Sequence, residues 1–429
     1  MKKRNFDYRT ICHIEFNNAK HRQSKVLPLW CCVINYFVLG LSNIIRFKYK
    51  YPTTKDICFI VQSQNNINTL KPISKELRTA NYSFVQMKQF PLALSFIYSL
   101  LYLKSFFGFY FSSSKEEKHD IRYSYRYFLR APGYYVVAKK FLKRNPMLKC
   151  MIFANDHTVP TRCLIEVAMK NNVATIYTQH ASITERFPPL HFSYSFLDGQ
   201  ESYEKYEKIG GIRGIVFLLG SPRFDDIKKQ IDRNGTHKNT IGIALGKSES
   251  IEKVLNISRY IKENLGYNVV IRPHPAEAPH FNFDLFLSEG FTCSQSEKET
   301  SFSFLSRLDF LIANRSGIHL DAAIKGIPSV MYNFSDYQVL DWYGFVKKGL
   351  IKIAENEEQV VQYIKELKPA PTKVVQYYYA AFGTQLDGHI AKTIAEFIEF
   401  GMYDKERFYD KFFTEEREKV YSIKESLLC

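Results

Sequence analysis

Two α/β domains, each a parallel sheet wrapped by helices, are predicted by three features of the chain. Apolar runs of strand length alternate with amphipathic runs of helix length, the rhythm stops in a stretch rich in Gly, Pro and charge, and it then restarts with the same spacing. The length of 429 residues agrees, because single cores stop growing beyond about 250–300 residues.

In the first half, "DICFIVQS" from Asp56 reads as a strand and Thr69–Thr79 as a helix beginning near Pro72. After an apolar region, "KCMIFAND" (Lys149–Asp156) is a second strand, "TRCLIEVAMKNN" a helix and "VATIYTQH" a third strand. The break comes with "KIGGIRG" (Lys208–Gly214), "LLGSPRFDD" and "DRNGTHKN". Beyond it, "TIGIALG", "YNVVIRPHP", "DFLIANRSG" and "IPSVMYN" read as strands. Helices are expected over Ser248–Leu265, from Gly317 through Lys325, near Glu357–Leu367 and over His389–Phe400. The expected division is a basic, membrane-facing region 1–50, a first domain 51–215, a linker 216–239, a second domain 240–400 and an amphipathic helix 401–429.

A hydrophobic content of 45% with 15% aromatics excludes global disorder. The net charge of +16 calls for an anionic partner, and half of it lies in the first fifty residues, where ten Lys and Arg face only Asp7 and Glu15. An excess gathered at one end suits an acidic lipid surface better than nucleic acid, for which no aromatic recognition motif appears. Eight cysteines without C-x-x-C or zinc spacing read as reduced, buried thiols. Of two apolar stretches, Val26–Ile45 is interrupted by Pro28, Asn35 and Asn43, and Leu92–Phe111 carries Lys104. Both read as in-plane or core helices rather than spans.

Four constellations fall at strand ends, where parallel α/β sheets bind ligands. Gln179-His180 closes a strand, and His180 can serve as a general base or as a hydrogen-bonded loop histidine. Arg272-Pro-His274-Pro sets a guanidinium and an imidazole between prolines, suited to phosphate oxygens or, in the bland reading, to ending a strand. Asn314-Arg315-Ser316-Gly317 ends a strand and opens a helix, an anion site by its free N–H groups or simply a Ser316 cap, with Asp321 one turn on, able to reach a ribose hydroxyl or a neighbouring Arg. Asp156-His157 either orients substrate or, through Asp156, caps the helix beyond Pro160. The Walker phosphate loop, the dinucleotide fingerprint, the G-x-S-x-G elbow and the D-x-D metal pair are all missing from the sequence.

Gln179-His180-Ala181, "LLGSPRFD" (Leu218–Asp225), Arg272-Pro-His274-Pro, Ser316-Gly317, Asp321-Ala-Ala and Gly326-Ile-Pro328, in that order, resemble bacterial surface-polysaccharide transferases of two Rossmann-like domains, the GT-B architecture with a deep interdomain cleft. The similar groups are the capsule sialyl- or Kdo-transferase-like and the CDP-glycerol glycerophosphotransferase-like families, matched over roughly residues 140–400. The resemblance implies that His274, Ser316 and Gly317 contact the donor phosphate and that His180 is the base. Asp198, in Leu197-Asp198-Gly199, is a rival base by analogy with polysialyltransferase-like members. Gln-His-Ala stands where Trp-His-Gly is usual, and Arg-Ser-Gly where paired serines are usual.

The expected function is metal-independent, inverting transfer of a sugar from a nucleotide-activated donor, favoured as CMP-linked sialic acid or Kdo, to a hydroxyl of a capsule or lipopolysaccharide acceptor. No cofactor is implied, and the partners are the donor, a saccharide or lipid-linked acceptor and the anionic inner membrane, at whose cytoplasmic face the chain would sit. The alternatives are a CDP-glycerol or ribitol-type polyol-phosphate transferase, a nucleotide-sugar 2-epimerase, disfavoured by the basic terminus, and a non-catalytic scaffold of capsule assembly.

Overall fold

The computed structural model describes residues 6–20, 26–44, 50–225, 239–247 and 249–428. Much of the basic N-terminal cluster, namely Lys2, Lys3, Arg4, Arg22, Lys25, Arg46 and Lys48, lies outside the described residues, as do 226–238 of the expected linker. The strands in chain order are β1 (Ile57–Val61), β2 (Tyr82–Gln86), β3 (Cys150–Phe153), β4 (Ala174–Thr178), β5 (Leu190–Leu197), β6 (Ile212–Leu218), β7 (Thr240–Ala244), β8 (Asn268–Arg272), β9 (Thr292–Cys293), β10 (Phe310–Ala313), β11 (Ser329–Tyr332), β12 (Lys352–Ala354), β13 (Phe413–Arg417) and β14 (Val420–Ile423).

The chain forms two compact units, Met1–Ser221 with Ala391–Lys424, and Pro222–Ile390 with Glu425–Cys429. Residues 391–424 therefore return to the first unit instead of closing the second. The reason is aromatic packing: Phe397 sets its ring against Phe196 of β5 and Phe217 of β6, each 5.3 Å away. Glu399 adds a polar clasp, its Oε1 accepting from the backbone N–H groups of Arg78, Thr79 and Ala80. Residues 401–429 are not one helix. Lys405–Phe412 is helical and runs straight into the β13–β14 hairpin.

In unit 1 the sheet order is β13-β14-β6-β5-β4-β3-β1-β2. Its pairs are parallel apart from β13 with β14. Four helices, Leu94–Leu100, Leu103–Ser112, Lys115–Tyr123 and Tyr125–Arg144, fill the long connection from β2 to β3. The apolar stretch 92–111 is thus two short helices. Pro72 lies inside the helix Gln64–Glu76 rather than at its start.

Unit 2 holds the order β12-β11-β10-β7-β8-β9, with parallel pairing throughout. Ile241, Ile243, Val269, Ile271, Phe310 and Ile312 pack on one face, while Ala244, Val270, Leu311 and Ala313 pack on the other. Apolar residues in every register explain why these strands read as continuous runs: a parallel sheet is covered on both sides. A Cβ at Gly242 would collide with Leu308 and Phe304, so the glycine lets the helix Ser301–Ser306 approach β7. From β7 the chain winds through β8 and β9 in one direction, then crosses to β10, β11 and β12 in the other. The switch point lies between β7 and β10, and it is in the crevice at the carboxyl ends flanking such a point that parallel α/β sheets bind ligands.

Candidate functional site

Because β3, β4 and β5 are neighbours in unit 1, the loops at their carboxyl ends lie side by side and carry Asp156-His157, Gln179-His180 and Asp198. The rings of His157 and His180 stand with centroids 6.0 Å apart, and His157 meets Phe187 edge-on at 4.1 Å. Burial, helped by the charge of Arg162, pushes His157 down to about 4, so it is neutral at pH 7. His180 is half-buried and Asp198 is 6% exposed.

Asp156 and Gln179 are both buried and committed to internal bonds. Asp156 Oδ2 accepts from Arg162 Nη1 at 2.8 Å, and burial raises its carboxyl while Arg162 opposes the rise. The cap position of the helix Val159–Lys170 is Thr158, so the expected capping by Asp156 does not occur. A buried guanidinium needs a counter-charge more than a helix end needs a cap, and Arg162 also holds the carbonyls of Pro189 and Thr10. The Gln179 side chain donates to Ala181 O at 3.0 Å and accepts from the Asp198 N–H at 3.0 Å. The Gln179 backbone carbonyl accepts from the Ser221 hydroxyl at 3.2 Å. Gln179, a candidate in the sequence for orienting substrate, has both ends of its amide engaged and locks the loop of His180 to the backbone of Asp198.

In unit 2, β7 lies between β8 and β10, so the strands that lead to His274 and Ser316 are two spacings, roughly 10 Å, apart. Between those strands β7 leads into Gly246-Lys247, which the sequence reading passed over. Its signal was available: Gly then Lys directly after "TIGIAL". His274 Nδ1 accepts from the Ala276 N–H at 3.0 Å, which leaves Nε2–H as the ring's donor. Burial, with Lys247 beside it, lowers His274 below its ordinary value, so the ring is neutral at pH 7.

Arg272 is not part of this crevice. Its guanidinium is 6% exposed and donates to Ser294 Oγ at 2.6 Å and to Glu299 O at 2.8 Å, lying over the Phe304 ring. Asp321 is likewise engaged, accepting from Arg223 Nη1 at 3.4 Å, with burial raising its carboxyl and Arg223 opposing. Of its two readings, the neighbouring arginine is the one realised. The helix after the β10 turn is short, Ile318–Ile324, with Gly317 at its cap position and Ser316 Oγ accepting from Ile318 N at 3.4 Å. Arg315 is exposed and stands 5.5 Å from the Trp342 ring.

Two further residues shape the crevice. His319, fully buried, has Nε2 3.0 Å from Asn314 O and Nδ1 3.0 Å from Ser329 Oγ. It pins the Asn314-Arg315-Ser316 turn to β11, and burial pushes it down to about 4. Glu249, just beyond β7, is pushed up to about 7 by burial, against hydrogen bonds from Gly246 and Asn314. Among the described residues no cluster of three His, Cys, Asp or Glu side chains is arranged to hold a metal ion. A cavity of about 800 Å³ lies elsewhere, beside the starts of β3 and β4, where helix C-termini and Lys139, Lys143 and Lys149 meet. Lysines there complement helix dipoles.

No family model and no curated protein matches the sequence. Solved structures do. A UDP-N-acetylglucosamine 2-epimerase superposes with a TM-score of 0.50 at 13% identity, covering 82% of this chain and 97% of its own. A putative UDP-N-acetylglucosamine 2-epimerase from Listeria monocytogenes gives 0.50 at 11%, covering 83% and 98%. A variant of the wall teichoic acid polymerase TagF gives 0.46 at 12%, covering 87% and 98%. At such identities the likeness to the two epimerases is one of fold, and with the two sheet orders it establishes that this chain has the GT-B architecture of two Rossmann-like domains.

Proposed function

We propose that the chain is an inverting glycosyltransferase that moves a sugar from a nucleotide-activated donor to an acceptor hydroxyl. The observation that carries this reading is the set of groups at the unit 2 switch point: Lys247, the Nε2–H of neutral His274, Arg315 and Ser316 gather at the carboxyl ends of β7, β8 and β10. Nucleotide phosphates bind where such donors converge on a switch point.

The reading assigns the acceptor side of the chemistry to residues of unit 1. His180, or Asp198 beside it, takes the proton of the acceptor hydroxyl; the oxygen bonds to the anomeric carbon as the bond from that carbon to the donor phosphate breaks. The electron pair leaves on the phosphate, and Lys247, His274 and Arg315 stabilise the charge that develops there. CMP-linked acid sugars suit this set best, because they bring a carboxylate as well as a phosphate to a crevice with two full cations. Glu249, pushed up to about 7 by burial, is only about half ionised at pH 7 and repels them less than an ordinary carboxylate would. A capsule or lipopolysaccharide saccharide is the proposed acceptor class.

A donor panel tests the proposal: CMP-sialic acid, CMP-Kdo, CDP-glycerol and UDP-N-acetylglucosamine, read by thermal unfolding and by product analysis. A bound donor at a hundredfold excess over its Kd adds about 2.7 kcal/mol of stability, a shift of several degrees. Transfer from a CMP-sugar with release of CMP is the expected result. Epimerised UDP-N-acetylglucosamine without transfer, or no shift with any donor, would sink it.

A further inference from the structure

The helix Leu29–Ile44 has two apolar faces, of which the protein covers one. Cys32, Tyr36 and Gly40, at successive turns, are buried. Tyr36 shares a 2.6 Å hydrogen bond with Ser99 and packs its ring 5.0 Å from Phe96, and a Cβ at Gly40 would collide with Phe96. Trp30, Ile34 and Val38, also at successive turns but rotated about 200° from that face, are 66%, 52% and 60% exposed. Leu27 precedes them, half exposed, and the neighbouring helix Leu94–Leu100 carries exposed Ile97, followed by Leu101. A stripe of large apolar side chains open to water, headed by a tryptophan, calls for a covering surface.

Charge selects the occupant. From Phe16 to Lys55 the sequence has no Asp or Glu, while Lys20, Arg22 and Lys25 precede the helix and Arg46, Lys48, Lys50 and Lys55 follow it. A second copy of the chain would bring two such cationic segments together, at a repulsive cost. An anionic bilayer offers hydrocarbon for the stripe and headgroup phosphates for a cationic flanking sequence, with tryptophan favoured at the headgroup level. With Cys32, Tyr36 and Gly40 held against the protein, only the opposite face is left for lipid, which suits a helix lying in the plane. Among the described residues no single helix is long and apolar enough to cross a membrane; Leu94–Leu100 with Leu103–Ser112 passes by composition only as a pair bent by 71°.

We infer that Leu29–Ile44 is an in-plane anchor for an anionic lipid surface, with Leu27, Trp30, Ile34 and Val38 seated at the acyl boundary. The inference is independent of the transferase reading, since it uses no residue of either strand-end site.

The test is flotation of the full chain with vesicles of phosphatidylcholine alone or mixed with phosphatidylglycerol. The wild-type chain should float with the anionic vesicles, release as salt is raised, and leave neutral vesicles largely unbound. Trp30→Ser, Ile34→Ser and Val38→Ser together should lower that partition roughly tenfold or more, with an unchanged thermal melt because all three are exposed. Equal partition of variant and wild type, or equal binding to neutral and anionic vesicles, overturns the inference. So does a wild-type dimer that the substitutions dissociate without changing partition, which would assign the stripe to a second copy.

Discussion

Arg272 Nη1 donates to Ser294 Oγ at 2.6 Å, so the arginine of the Arg-Pro-His-Pro turn faces the residue after edge strand β9 and turns away from the crevice at the switch point. Its neighbour two residues on, His274, has Nδ1 engaged by the Ala276 N–H, which leaves Nε2–H as its donor. The two side chains therefore separate into a buried anchor and, under the proposed reading, a contact for the donor phosphate.

Substitution should separate them as well. Arg272→Ala removes a buried cation from Ser294, Glu299 and the Phe304 ring, and should cost about 3 kcal/mol in urea unfolding while donor affinity of the folded protein changes little. His274→Ala should leave the melt nearly unchanged and weaken donor binding by about tenfold, the scale of one hydrogen bond to a charged oxygen. Equal effects of both on donor affinity would return Arg272 to the site.

The two proposed bases make opposite demands on single substitutions. His180→Ala should lower kcat by about 10²–10⁴ with the donor-induced thermal shift intact, because a base acts on the acceptor proton and leaves donor binding alone. Asp198→Asn keeps the shape of the side chain and the backbone N–H that Gln179 holds. If Asp198→Asn produces the larger kcat loss, the base is the aspartate and His180 is a loop residue.

How far the sequence shows all this depends on what each element buries. The strands "DICFIVQS", "KCMIFAND", "VATIYTQH", "TIGIALG", "YNVVIRPHP", "DFLIANRSG" and "IPSVMYN" were legible because central parallel strands are apolar on both faces. β6 was not, because "IRGIVFL" begins inside the Gly-rich stretch that reads as a linker. The β13–β14 hairpin was not, because an outer strand with Glu415, Glu416 and Arg417 facing water carries the charges of a solvated helix. Side-chain direction was the other blind spot. Sequence placed Asp156, Gln179 and Arg272 at strand ends or just beyond and Asp321 in the helix after β10, but only the partners Arg162, Asp198, Ser294 and Arg223 show that each is already engaged.

Glu249 gives the crevice a pH dependence near neutrality. Burial pushes its carboxyl up to about 7, so it is protonated at pH 6 and ionised at pH 8. An ionised carboxylate beside an anionic donor is unfavourable, so donor Kd should rise above pH 7, by up to about tenfold per unit if binding requires the proton. Glu249→Gln should flatten this rise and match the wild type at pH 6. Calorimetric titration from pH 6 to 8.5 reads both curves; parallel curves for wild type and variant would remove Glu249 from the site.

His319 should leave its mark on stability instead. Held between Asn314 O and Ser329 Oγ with its ring pushed down to about 4 by burial, it stays neutral where an unfolded histidine, near 6.5, takes up a proton. Between those values the unfolded chain binds more protons than the folded one, so the stabilisation is whole above pH 6.5 and is lost as pH falls to about 4. At about 1.4 kcal/mol per unit the loss approaches about 3 kcal/mol. His319→Gln breaks one of the two bonds and removes the titration, so it should destabilise most at pH 7.5 and progressively less toward pH 4. Urea unfolding of the two proteins across that range checks the sign: a destabilisation that stays constant with pH would mean that His319 contributes by packing alone, and that the Asn314-Arg315-Ser316 turn is not held by its neutral ring.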